Sequence, residues 1–387
     1  MKKVSIGIGV LFTLCIFAFF FYLPTSFDKR SNYAYKKPPY KVSPKAAELH
    51  KKLFVADMHN DSLMWNRDLL KKNNRGFIDL PRMQEGNIAL QNFTVVTKVP
   101  FGVNIEKNDD KSNMVTIAVV AQLWPVKTWF SLKERALYQA AKLRQFAELS
   151  NGKLVVIKSA DDLIRFEQRR LKEPGIAGGV LGIEGTQVLE GDPLKINAMY
   201  DAGYRLVGLT HFFDNEMAGS MHGMVKGGLT DKGKELLKIV EKKRMIIDLA
   251  HSSSRTINDV LALSKRPVIV SHTGVKGTVN NSRNLSDDQL RRIAAKGGLI
   301  GIGFWEEAIG PITDLNATVR AIRHAVKIVG IDSVGLGSDS DGSVPMPMDA
   351  SGMALLTEAL LKDGFTEPEI RKIMGGNQAA FYEKMLP

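Results

Sequence analysis

The stretch Leu53-Phe54-Val55-Ala56-Asp57-Met58-His59-Asn60-Asp61 runs from a short, largely apolar segment straight into side chains able to bind a cation. Working outward, the same pattern recurs at Ile88 to Val96, Gly179 to Ile183, Arg205 to Thr210, Met245 to Ala250, Pro267 to Ser271, Leu299 to Phe304 and Ser333 to Ser338. Several of these runs lack apolar/polar alternation, as parallel strands covered on both faces do. Helical patterns lie between them. Ser131 to Glu134, Ser286 to Gln289 and Thr366 to Glu369 match the Ser/Thr-x-x-Glu/Gln box that starts a helix. Eight strands alternating with helices predict an α/β fold, a (β/α)8 TIM barrel rather than an open sheet. The long interruption from about Lys98 to Arg170 reads as helical decoration of the second strand-to-helix connection.

The strand ends carry the chemistry. His59 and Asp61 follow the first run, Glu184 the third, His211 the fourth, His251 the fifth, His272 the sixth, and Asp339 with Asp341 the eighth. In a barrel these tips converge on the face that holds the active site. One histidine after an apolar run is usually a hydrogen-bonded structural residue. Independent strands, however, have no packing reason to end repeatedly in metal-ligand side chains, and buried charges and imidazoles gathered together need a partner, for which a cation is suited. Imidazole and carboxylate without thiolate suit Zn2+, with Mn2+, Co2+ or Fe2+ as substitutes. His59, Asp61, Glu184, His251 and His272 exceed what one tetrahedral zinc needs. They predict two ions about 3.5 to 4 Å apart, bridged by a carboxylate and a water. His59 and Asp61, two residues apart, share a face of an extended segment and can chelate one ion. His251 and His272 suit the other, with Glu184 as the bridge.

Cys15 is the single cysteine, so no intrachain disulfide and no cysteine-based zinc site is open to this chain. The 44% hydrophobic and 24% charged content is that of a globular protein. A formal charge of +12 points toward anionic lipid or cell wall. Nucleic acid is not expected as a partner, because the basic residues are dispersed and no DNA-reading motif accompanies them. Val4 to Leu23 contains no charged residue and follows Lys2 and Lys3. That length matches a membrane-crossing helix. Residues 1–24 are therefore expected to form an N-terminal transmembrane anchor, with a cleaved signal peptide, and hence a secreted protein, as the alternative. Residues 25–45, with Pro38, Pro39 and Pro44, are expected to be an extended tether, and residues 46–387 one catalytic domain outside the cytoplasm, periplasmic or extracellular. A homodimer is the default oligomer.

The segments His59-Asn60-Asp61, Gly182-Ile183-Glu184-Gly185, Tyr204 to His211, Ile247-Asp248-Leu249-Ala250-His251-Ser252, Pro267 to His272, Ser282-Arg283-Asn284 and Gly337-Ser338-Asp339-Ser340-Asp341-Gly342 resemble, in order and spacing, the membrane dipeptidase (renal dipeptidase) family. The resemblance runs from about Leu53 to Tyr382. It implies a barrel of the metal-dependent hydrolase type and a binuclear zinc site of His59, Asp61, Glu184, His251 and His272, with Glu184 bridging. It also implies that His211 polarises the scissile carbonyl of a dipeptide, Arg283 holds the substrate carboxylate, and Asp339 handles the proton of the attacking water. Two departures stand out: Gln91-Asn92-Phe93 where the family commonly has a Gly-Gly-x-x-Trp/Phe stretch, and Ser340 where an aromatic or hydrophobic residue is usual. Both are expected at pocket walls.

The other candidates read as structural. Asp341 is expected to cap the turn before Gly342, His50 and His324 to pack or sit at the surface, and His222 to lie in a loop near the mouth. Tyr204, Phe304 and Trp305 are expected to be barrel or pocket walls rather than catalytic groups. A membrane-anchored zinc dipeptidase is the leading reading. The alternatives are a metal-dependent amidohydrolase acting on non-peptide amides, lactones or phosphoesters, since related barrels reuse the same metals, and a tethered binding protein without turnover.

Overall fold

The structure is a computed structural model and describes residues 13–312 and 314–387. Eight short parallel strands follow one another round a ring: β1 (Val55–Asp57), β2 (Ile88–Val95), β4 (Ala177–Glu184), β5 (Tyr204–Gly208), β6 (Ile246–Asp248), β7 (Ile269–Thr273), β8 (Leu299–Ile302) and β9 (Val334–Leu336). The Met58 amide, just beyond β1, donates to the Leu336 carbonyl at 2.9 Å, and Asn60 bridges Ser340 in parallel, which closes the ring. Each of the eight predicted runs overlaps one of these strands. Six of the strands have three to five residues and β2 and β4 have eight each, and nearly every strand residue is buried.

Side chains sort by the two-residue period of a strand. Ala56, Leu90, Val180, Leu206, Ile246, Ile269 and Leu299, one from each of seven ring strands, form one apolar cluster with Tyr382 and Met385 of the C-terminal helix (Asn377–Met385) and Leu386 just after it. Arg244, just before β6, donates to the Leu386 carbonyl at 3.3 Å, so this helix covers the end of the barrel where the strands begin. Neighbouring residues such as Leu181, Val207, Ile247, Val270 and Ile300 belong to the larger cluster packed with the helices. The helix starts behave as read. Ser286 accepts from the Gln289 amide while the Gln289 side chain accepts from Ser286, and the Glu369 carboxylate accepts from the Thr366 amide at 2.8 Å. At Ser131 half of the box forms, with the hydroxyl accepting from Glu134.

Two expectations need correction. Residues 98–170 are largely helical, with Leu132–Leu149 the longest helix, but they also contain a ninth strand, β3 (Leu154–Val156), which pairs outside the ring with β4. The stretch expected as an extended tether carries a helix at Leu23–Ser31 and a second at Pro44–Lys51. Among the described residues no helix is long and apolar enough to cross a membrane. The first half of the apolar run, up to residue 12, lies outside the described residues.

Candidate metal centre

Six of the eight ring strands, β1, β4, β5, β6, β7 and β9, deliver ionisable residues to the same end of the ring. Glu184 closes β4, and its Oε1 lies 3.5 Å from His59 Nε2, 3.6 Å from His211 Nε2, 3.2 Å from His251 Nε2 and 3.5 Å from His272 Nε2. His59 Nε2 is also 3.6 Å from Asp61 and 3.8 Å from Asp339. Ligand atoms of His59, Asp61 and Glu184 lie within 4.8 Å of one another, as do those of Glu184, His211 and His251 and those of His59, His272 and Asp339. All the expected ligands and both expected catalytic residues therefore meet, and all but Asp339 are under a tenth exposed. The backbone bends to allow it: His251 and Asp339 have φ of 61° and 64°, a left-handed conformation costing a non-glycine residue about 1–2 kcal/mol. Gly185, at φ 87°, turns the chain after Glu184, and a Cβ there would strike the Gln187 side chain.

The partners of the outer imidazole nitrogens fix the tautomers of His222 and His251 and permit the matching one at His59 and His272. His222 Nδ1 faces the Ile105 carbonyl at 2.6 Å and must carry the proton, which leaves its Nε2 to accept from His251 Nδ1 at 3.0 Å. His251 thus turns the lone pair of Nε2 into the cluster. Ser271 Oγ stands 2.9 Å from His272 Nδ1 and 3.3 Å from His59 Nδ1, so both rings can donate outward to it and present Nε2 inward. His251 Nε2 and His272 Nε2 consequently face each other at 2.9 Å, two lone pairs with no proton assigned between them. With both rings in those tautomers the contact is repulsive, and a cation against both would relieve it; Arg283 Nη2 lies 3.4 Å from His251 Nε2. Buried Glu184 Oε2 and His59 Nε2 have no hydrogen-bond partner. This donor set of nitrogens and carboxylates, oriented by outer hydrogen bonds, fits a zinc site.

Burial lowers the pKa of His211, His251 and His272 well below the usual imidazole value, with the Arg283 charge adding to the effect, and so keeps them in the neutral form that coordinates. For His59 burial acts the same way, but the carboxylates of Glu184 and Asp61 outweigh it and raise the pKa. Burial raises Glu184 and Asp339, with the mutual proximity of the acids contributing.

A cavity of about 640 Å³ opens over the cluster, lined by Glu184, His211, Arg283 and Asp339 and by apolar residues that include Trp65 and Trp305. Arg283 is buried; its Nη2 donates to the His272 carbonyl at 2.9 Å, its Nη1 has no partner, and its guanidinium lies 5.1 Å from the Trp305 ring centre. Burial lowers its pKa to about 10, which leaves it charged at neutral pH.

The remaining residues sort differently from expectation in several places. Asp341 does more than cap a turn: it pairs with Arg67 at 2.8 Å and accepts the amides of Phe77 and Ile78. His50 is buried between Thr357 and the Gly86 carbonyl, and His324 pairs with Asp287 at 2.7 Å. Gln91, Asn92, Phe93 and Ser340, expected at pocket walls, do not line the cavity. Gln91 binds Asp57, Asn92 donates to Met58 and Tyr382, Phe93 packs against Gly179, and Ser340 meets Ser338. Trp305 is a cavity wall, whereas Tyr204 and Phe304 are core. Missed in the sequence were the orienting roles of His222 and Ser271 and the arrival of Phe27 and Ser31 at the cavity.

Comparison with known proteins agrees. The crystal structure of the dipeptidase AC, an M19 metallo peptidase, superimposes with a TM-score of 0.70 at 25% identity, covering 86% of this chain and 99% of that one. The probable dipeptidase PvdM of Pseudomonas aeruginosa shares the fold at a TM-score of 0.73 and 20% identity, covering 88% of this chain and 97% of its own. An uncharacterized dipeptidase, C965.12, of Schizosaccharomyces pombe is 30% identical over 247 residues, 60% of this chain and 58% of its own length. The dipeptidase verJ of Clonostachys rogersoniana is 33% identical over 211 residues, 52% of this chain and 54% of its own length. Each of these two alignments spans little more than half of the relative. The profile of the membrane dipeptidases, peptidase family M19, in contrast matches residues 43–383 in one piece, from before β1 to the C-terminal helix, and the chain belongs to that family.

Proposed function

We propose that this chain is a two-zinc dipeptidase. The observation that carries the reading is a single buried carboxylate, Glu184, with four imidazole nitrogens within 3.6 Å of one of its oxygens, beside a buried arginine with a free N–H. His59 and Asp61 would hold one ion with Glu184, and His251 and His272 the other. When bound, the cations supply hydroxide near neutral pH and withdraw charge from the scissile carbonyl. The side chains do the rest. Arg283 offers its unpaired N–H to the free carboxylate of the substrate. His211, neutral in its buried position, can donate to the oxyanion that develops as the carbonyl is attacked. Asp339 takes the proton of the attacking water and returns it to the leaving amine.

The test is metal analysis together with a dipeptide panel. Two equivalents of zinc, activity lost on chelation and restored by zinc are the expected results, and absence of turnover in zinc-replete protein would overturn the reading. Arg283→Ala should raise KM for dipeptides by about tenfold or more, since it removes a charge-assisted pair. An unchanged KM would point to amides, lactones or phosphoesters that carry no carboxylate.

We also infer that the N-terminal segment anchors the domain to a membrane, facing outward. In support, the run from Val4 to Leu23 is uncharged, and within its described part Leu14, Phe17, Phe21 and Tyr22 are each about 60% exposed, an apolar surface suited to lipid. Expressed whole, the protein should sediment with membranes and need detergent for release. Recovery in the soluble fraction would refute the anchor.

A further inference from the structure

One wall of the cavity comes from outside the barrel. Phe27 and Ser31, on the helix Leu23–Ser31, line it together with Met64, Trp65, Met114 and Val115. The Phe27 ring lies 6.1 Å from that of Trp65, and behind Trp65 stands an apolar cluster separate from the two barrel clusters, formed by Met64, Val96, Val115, Val119 and Trp124. The wall is therefore apolar and several residues deep.

The helix is held in place. Asp28 is 2% exposed and meets Arg75 at 2.8 Å and Arg67 at 3.4 Å, while Asn32 donates to Asp28 at 2.9 Å. Asn32 also accepts the Ser343 amide at 2.9 Å, and the Tyr35 amide donates to the Met346 carbonyl at 3.0 Å. These contacts tie the segment to the loop that follows β9 and begins with Asp339. A charge as deeply buried as Asp28, paired with two arginines, fixes the position of the helix.

The orientation of a substrate then decides what this wall meets. Arg283 follows β7, four strands round the ring from β2, so it stands opposite the side where Trp65 and Met114 enter from the connections after β1 and β2. A dipeptide whose carboxylate lies at Arg283 turns its other end toward Phe27. Resting on the dipeptidase reading above, we propose that Phe27, with Trp65, Met114 and Val115, forms a subsite for a large apolar side chain on the residue N-terminal to the scissile bond. The segment preceding the barrel is then a specificity element as well as a connection.

The experiment uses the full-length, zinc-loaded protein and the dipeptides Phe-Gly, Gly-Phe and Gly-Gly. Wild type should favour Phe-Gly over both others. Phe27→Ala should lower kcat/KM for Phe-Gly about tenfold while leaving Gly-Gly within about twofold, and Phe27→Leu should restore most of the loss, as expected for an apolar pocket. Equal losses on all three substrates, or no loss on Phe-Gly, would overturn the proposal. Should wild type cleave none of them, the dipeptidase reading fails separately, and calorimetric affinities judge the subsite. Tighter binding of Phe-Gly than of Gly-Gly that disappears in Phe27→Ala sustains it, and equal affinities end it.

Discussion

His222 shows how a residue outside the metal-binding set can govern it. Its Nδ1–H is spent on the Ile105 carbonyl, so only its Nε2 lone pair is available to His251, and that alone sets the tautomer of a ligand. Replacing it with alanine leaves the His251 ring free to rotate or to take the wrong tautomer. His222→Ala should weaken zinc binding or kcat about 10- to 100-fold, the usual effect of losing an orienting partner, measurable by competition with a chelating dye. An unchanged zinc affinity and kcat would mean that Phe212 and the backbone hold the ring by themselves. The clustered side chains proposed as ligands were legible in the sequence because each sits where its own strand stops, a local signal. The part played by His222 was not, because it depends on a contact between two loops, held by the bridge between Ser220 and Ser252, that no spacing encodes.

The loop after β9 gathers three non-glycine residues at positive φ, Asp339, Asp341 and Ser343, a costly conformation that the surroundings must impose. Asp341 is the pin, through Arg67, Phe77 and Ile78, with its carbonyl accepting from Trp65. Arg67→Met leaves that carboxylate buried without its counter-charge, so it should destabilise the fold by about 3–5 kcal/mol in denaturant titrations and slow turnover by displacing Asp339. At the other end of the barrel, the helix Ala160–Lys172 meets the C-terminal helix with two acids in contact: burial and Glu383 raise the Glu167 pKa to about 7. A carboxylate raised in the folded state contributes stability that is complete below about pH 4.5 and lost as pH climbs through 7. Glu383→Gln should therefore raise Tm at pH 8 relative to wild type and leave it nearly unchanged at pH 4.5. Because Glu167 is partly exposed, the gain should be only about 1 kcal/mol, or roughly 2 °C. Elements were readable in proportion to their length and burial. The ring strands are flanked on both sides and announce themselves as apolar runs, whereas β3 has three residues and one neighbour. The helix at Leu23–Ser31 was concealed by the prolines and charges around it, and tertiary ion pairs at Asp28 stabilise what propensity alone does not.

At the scale of the molecule, the proposed metal site gathers charge at the top of the barrel that would oppose folding without cations to compensate it. Excess chelator should therefore lower Tm. Zinc at 1,000 times its Kd should restore about 4 kcal/mol, a concentration dependence that scanning calorimetry reads directly. The way the chain enters the barrel has a practical corollary. Trimming the protein to obtain a soluble form is safe only up to the turn of helix that precedes Asp28. A cut beyond Asn32 strips Arg67 and Arg75 of an anion and frees the Ser343 amide, and what remains is a barrel whose Asp339 loop has lost its brace.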